Sequence, residues 1–150
     1  MIELTNINRI RQNILNITKD LSDAQLNKIP AGFNNNIIWN IAHLSAVLQR
    51  ICYVRSGLAG HIEVAFSEEF KNGTRPTRDI TAIEIKTIRD LLMTSIEQLE
   101  IDVASSLFVN YEAWNTSIGI EINSLSNAIA FLPYHEGLHT GAILAIKKLV

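Results

Sequence analysis

The chain has a single cysteine, Cys52, among its 150 residues. No intrachain disulfide is possible, so nothing but packing or a bound group can staple the fold. Its apolar neighbours Ile51, Tyr53 and Val54 predict a buried, inert thiol. Only 19% of residues are charged, 13 basic against 15 acidic, and no block of like charge occurs. A nucleic-acid binder needs a basic stripe, and none is present. No stretch of about 20 apolar residues exists, so no membrane span is expected. The first residues, Met1-Ile2-Glu3-Leu4-Thr5, carry neither a charged leader nor a long apolar run, so no secretory signal is expected and the cytoplasm is the expected compartment. There are only three prolines and seven glycines, so long uninterrupted helices are permitted.

What is present is apolar residue, 47% of the chain, with helical spacing. A length of 150 residues predicts one domain over 1–150 with a real core. Ile7, Ile10, Ile14, Ile17 and Leu21 recur at spacings of three and four, which predicts a first helix capped by Thr5 or Asn6. Ser22 can cap a further short turn before Pro30. A second helix is predicted from about Asn36 to Ser56, with a seam of Ile37, Ile41, Leu44, Leu48 and Ile51. Trp39, Ala42, Ala46 and Val47 widen its apolar arc, and Gly57 can end it. Residues 57–80 read as a long connection with one short helix near Phe66–Phe70. Thr81 and Glu84 form a capping box that opens a third long helix to about Ala104. Residues 105–121 read as extended or irregular, with turns at Asn115, Thr116 and Gly119, and no sheet is read. A last helix runs from Asn123 or Ser124 to near Leu149, beginning or kinking at Pro133.

The last helix carries the chemistry. From Ala128 its core seam runs through Leu132, His135, His139, Ala142, Ile146 and Leu149. His135 and His139 stand four residues apart, so they share one helical face, one turn apart. Two imidazoles at that spacing can serve one metal. His43 lies in the middle of the most apolar helix, where a lone imidazole needs a partner, and is the best third ligand. A buried histidine taken singly is more often a hydrogen-bonded core residue; three in core phase reverse those odds. His61, in the long connection, reads as solvated. Trp39, Tyr111, Trp114 and Tyr134 are pocket-lining candidates, with plain core packing the commoner role for such residues.

His135-Glu136-Gly137-Leu138-His139 also matches the H-E-x-x-H metalloprotease helix, in which the glutamate is a general base. No third ligand follows His139, and no sheet edge is read to bind a peptide, so a protease is not expected. Glu136 is left with two readings: a base or support beside the metal, or a solvated carboxylate, since it points about 100° away from His135.

The whole chain resembles the DinB-like superfamily. The resemblance is carried by Trp39-x-x-x-His43-Leu44 and by Pro133-Tyr134-His135-Glu136-x-x-His139-x-Gly141. It implies an all-α, up-down-down-up four-helix bundle with a long crossover between the second and third helices. It also implies a three-histidine site with open, water-filled positions, usually zinc or nickel, and frequent homodimers. Some relatives are thiol-S-transferases acting on low-molecular-weight thiols. His43, His135 and His139 match the ligand positions; many members carry a glutamine where this chain has Ala142. The expectation is a metal-dependent transferase or hydrolase acting on a small molecule, with Glu136 as candidate catalytic base. The alternative is a non-catalytic, metal-stabilised binding protein.

Overall fold

Side-chain caps start four of the helices in the computed structural model, which describes all 150 residues. Helix α1 (Ile2–Thr18) begins at the terminus with no side-chain cap. Neither Thr5 nor Asn6 caps it, because the amphipathic pattern extends back through Leu4, which is buried. Ser22 and Gln25 form a capping box on the short α2 (Asp23–Asn27). Asn36 accepts from the backbone N–H of Trp39 and starts α3 (Ile37–Leu48), all of whose residues are buried. A wide π turn (Gln49–Tyr53) and a 3-10 turn (Val54–Ser56) continue it to Gly57, whose φ of 75° supplies the left-handed stop. Helix α4 (Val64–Glu69) is the short helix of the connection. The predicted Thr81–Glu84 box caps α5 (Ala82–Ala104). Ser124 accepts from the N–H of Asn127 and opens α6 (Leu125–Lys147), which carries Pro133 in its interior. The proline does not end the helix.

The fold is all-α but for one feature. Trp114–Asn115 (β1) and Glu121–Ile122 (β2) pair antiparallel, with Trp114 opposite Ile122. The reading that no sheet is present is corrected there, while the extended alternative for this segment fits Trp114–Asn115. The pairing turns about Gly119, at φ 80°, and a two-residue ladder is too short to leave a periodic signal.

Helix α1 packs on α5 and α6, and α3 packs on the same two helices. The α1 terminus shows their relative directions. Arg89, near the start of α5, donates to Thr18 O, and Lys147, at the end of α6, donates to Ile17 O.

The core falls into two apolar clusters, of 16 and 13 buried residues. One takes Ile14, Leu44, Leu92 and Ile143; the other takes Ile7, Leu48, Ile96 and Leu132. Between these positions on the four helices lie Arg11, Ser45, Ser95 and Glu136, all buried. A polar layer therefore crosses the middle of the bundle. The helix most apolar in sequence, Ile37–Ser56, passes a membrane-span test by length and hydropathy. Burial of 89% of that window accounts for its composition as a core helix.

Candidate metal centre

The predicted seams on α1 and α6 need a rotation. On α1 the buried stripe is Leu4, Ile7, Arg11, Ile14 and Thr18, while Ile10 and Ile17 sit at its edge. On α6 it is Ala128, Ile129, Leu132, Glu136, Ile143 and Ile146. His135 and His139 flank that stripe and are partly exposed; Leu149 is outside it. The cause is geometric. Successive residues on a helix differ by about 100°. In a four-helix arrangement that is close to the angle between two neighbours. Glu136 thus meets α1 while His135 and His139 meet α3.

His43, His135 and His139 converge as the sequence predicts. Their candidate ligand atoms all lie within 4.8 Å of one another. Two metal–nitrogen bonds of about 2.0–2.1 Å at a tetrahedral angle put their nitrogens roughly 3.4 Å apart, so the rings would draw in around an ion. Ring centroids are 4.6 Å apart for His43–His139 and His135–His139, and 5.3 Å for His43–His135. His43 is 2% exposed.

Two of the three tautomers are set by the protein. His43 Nδ1 donates to Phe70 O at 2.6 Å, an acceptor that leaves no other assignment. His139 Nδ1 lies 2.7 Å from Asn40 Oδ1. The Asn40 amide is itself oriented, because its Nδ2 donates to Asn36 O at 2.7 Å and Asn35 Oδ1 at 2.9 Å. His139 is therefore the donor, and both rings turn Nε2 lone pairs inward. Such outer hydrogen bonds are how metal-binding histidines are aimed and made more basic. His135 Nδ1 is buried with no partner. An unsatisfied buried nitrogen costs about 1–3 kcal/mol, and a neutral three-imidazole donor set with such an orphan fits a divalent transition metal.

The charges agree. Burial lowers the pKa of all three rings. His135 falls to about 3 and His139 to about 4, with repulsion from the neighbouring imidazoles adding to the desolvation. For His43 burial also dominates, opposed by its bond to Phe70. The rings are neutral at physiological pH, the state that ligates.

Glu136 is not a solvated carboxylate. It is fully buried, and its Oε1 accepts from Arg11 Nε at 2.9 Å and Nη2 at 2.6 Å. Arg11 also donates to Leu92 O, Ser95 Oγ and Leu44 O, at 2.8, 2.9 and 3.1 Å. All five guanidinium protons are used, and one side chain joins α1 to α3, α5 and α6. Burial pushes the Glu136 carboxyl up, and the guanidinium beside it opposes that.

A cavity of about 690 Å³ opens beside His43 and His135, with Val47, Trp114 and Phe131 among its walls. Glu136 does not line it. Trp39 stacks on His43 at 4.6 Å between ring centroids and walls the centre. Trp114 meets the cavity expectation; Tyr111 donates nothing to it but accepts from Trp114 Nε1 at 3.0 Å. Tyr134 does not line it and is 48% exposed, its ring tilted against Phe131 at 5.6 Å between centroids. His61 is half-exposed and not free: Nε2 lies 2.9 Å from Asp102 Oδ2, which also accepts from Tyr53. Cys52 is buried, and desolvation raises its thiol to about 12, as its neighbours predict.

Sequence reasoning missed Arg11, Asn40 and the Phe70 carbonyl. Arg11 and Asn40 had a signal: each is a polar residue in core phase on an apolar seam. The Phe70 carbonyl had none, because the peptide bond is common to every residue.

A mainly helical chain that gathers three neutral imidazoles from two helices beside a cavity has a donor set that could hold a metal ion. The family model of the DinB superfamily matches residues 6–143, and the chain belongs to that superfamily. No curated protein matches it.

Proposed function

We propose that this protein is a metal-dependent DinB-type enzyme that acts on a small molecule in the cavity beside His43 and His135. The observation that carries the reading is the convergence of three neutral imidazoles, two aimed by Phe70 O and Asn40 Oδ1, at a cavity wall. His43, His135 and His139 would hold one divalent ion, zinc or nickel. Three protein ligands leave a coordination position open, as catalytic sites do and closed structural sites do not. The ion would supply Lewis acidity, lowering the pKa of a water or thiol so that a nucleophile is available near neutral pH. Hydrolysis and thiol-S-transfer are the two reactions this supports. The protein's share is to hold the three rings neutral and oriented, and to desolvate the reacting face with Trp114 and Phe131.

Glu136 enters the proposal as a positioning residue. Arg11 occupies one of its oxygens and the cavity does not reach it, so its pairing sets the rotation of α6 and hence the aim of His135 and His139. Glu136→Gln separates the roles. A base would lose turnover with metal content intact; a positioning residue loses metal affinity together with thermal stability.

The contacts Arg89–Thr18 and Lys147–Ile17 support an up-down-down-up order for the four long helices, α1, α3, α5 and α6, with the crossover at 57–81. We place the protein in the cytoplasm as a homodimer. Its only thiol is buried and unpaired, and the outer side of α6 exposes Tyr134, Leu138 and Leu144 without a charge among them.

Metal analysis of untagged protein, offered zinc and nickel, tests the core claim. About one equivalent is expected, lost in each of His43→Ala, His135→Ala and His139→Ala with helix content retained. Less than about a tenth of an equivalent in the parent protein refutes it. If metal binds but a thiol-transfer and ester-hydrolysis screen stays silent, the non-catalytic alternative replaces the enzyme.

A further inference from the structure

The cavity beside the histidines is electrically unlike the rest of the molecule. The chain carries a net charge of −2, yet Arg50, Arg55 and Lys71 line this cavity against one acid, Glu68. Lys71 and Glu68 pair with each other at 2.5 Å and cancel. Arg55 has only the 75%-exposed Glu112, at 3.1 Å, and lies 5.8 Å over the face of Trp114. That stacking pre-positions its guanidinium at an apolar wall. Arg50 makes no ion pair or hydrogen bond within the protein. Arg50 is exposed and answered only through space by Glu68, which Lys71 already holds, so positive charge is in excess along this lining. Ser67 Oγ, also on the lining, is buried and has no partner.

His43 and Val47 on α3, Arg50 in the π turn and Val54 in the 3-10 turn that continue it all line the cavity. Seven residues separate His43 from Arg50, about 10 Å of helix. Val47 lies between them, with Phe131 and Trp114 on the facing wall. The lining thus reads, in order, as imidazole, apolar wall, guanidinium. The volume of about 690 Å³ suits a small organic ligand.

We propose that this cavity binds a small organic anion: an apolar, flat body with an oxyanion head, the head held by Arg50 and Arg55 and the opposite end facing His43 and His135. Guanidinium forks recognise carboxylate and phosphate alike, so the head is an oxyanion of either kind. The inference names the ligand class of the proposed metal centre. The arginine part of it does not require that a metal is bound.

Three probes of one shape test it: 2-naphthoate, 2-naphthyl phosphate and the neutral 2-naphthamide. Binding is followed by calorimetry on the full chain, both zinc-loaded and chelator-treated. At least one anion is expected to bind about tenfold or more tightly than the amide in both preparations. The tighter of the two identifies the head group. Arg50→Gln and Arg55→Gln, checked for retained helix content, should each remove most of that preference and leave amide binding unchanged.

Equal affinities for anion and amide, or no binding of either anion, overturn the proposal. A preference seen only with zinc and untouched by Arg50→Gln also overturns it, because the anion then sits on the metal. Failure of the metal reading looks different: no zinc is retained, yet the arginine-dependent preference persists.

Discussion

Two polar groups share the middle of this bundle and are built on opposite principles. Arg11 and Glu136 form a charged knot in which every guanidinium proton has an acceptor. His43, His135 and His139 form a neutral cluster in which ring nitrogens face one another and His135 Nδ1 has no acceptor at all. Both interrupt apolar seams. The guanidinium is satisfied wholly from within the protein and its charge is answered by Glu136, of which only Oε2 is buried without a partner; the neutral cluster has no internal group that answers its converging nitrogens. Polar residues in a core are thus sorted by whether a charge within the protein answers them, and a converging neutral donor set with none marks a candidate site.

The comparison breaks most readily at Arg11. Removing one partner of a buried ion pair leaves the other charge stranded, at a cost of about 3–5 kcal/mol. Arg11→Ala should lower unfolding stability by that amount in urea denaturation. The double variant Arg11→Met with Glu136→Leu should recover most of it, since apolar residues of similar volume can replace such a pair without net loss. No recovery would mean that the knot sets the fold and does not merely fit it.

Acid acts on the cluster. His135 and His139 have folded pKa values of about 3 and 4, below the ordinary histidine value of 6.5. Above about pH 6.5 the folded and unfolded chains are both neutral there, and no term arises. As pH falls below that, the unfolded chain takes up protons first, so stability is lost, by about 1.4 kcal/mol per pH unit for each ring, until the folded values are reached. His43 contributes in the same direction. Metal-free protein should therefore melt progressively lower from pH 6.5 to 4, as read by circular dichroism. His135→Phe should flatten the slope. A slope unchanged in that variant would show that the rings are not held neutral.

A smaller effect is expected at Asn40, which aims His139 without touching the cavity. Asn40→Ala should weaken zinc binding by about 10–100-fold with little change in helix content. The smallest belongs to His61, whose half-exposed pairing with Asp102 lies apart from the metal centre. His61→Ala should cost about 1 kcal/mol or less and leave metal stoichiometry unchanged.

The sequence alone determined the helices, the caps of all but the first long one, and the three histidines. Helical periodicity, capping boxes and an i, i+4 histidine pair are local, and a repeat of about 3.6 residues is written directly in residue order. It did not determine which way each helix faces. The seam drawn on α6 through His135, His139 and Ala142 was about one residue out of phase with the buried stripe through Glu136. Both phases are apolar enough to pass, and only contact with two neighbours, α1 and α3, separates them. The role of Glu136 follows from that rotation, and so do the acceptors at Phe70 and Asn40. These partners stand 27 residues from His43 and 99 from His139. Long-range hydrogen bonds leave no spacing to read. Residue order thus named the three histidines, while the packing of the helices decided which polar groups meet and which stay open.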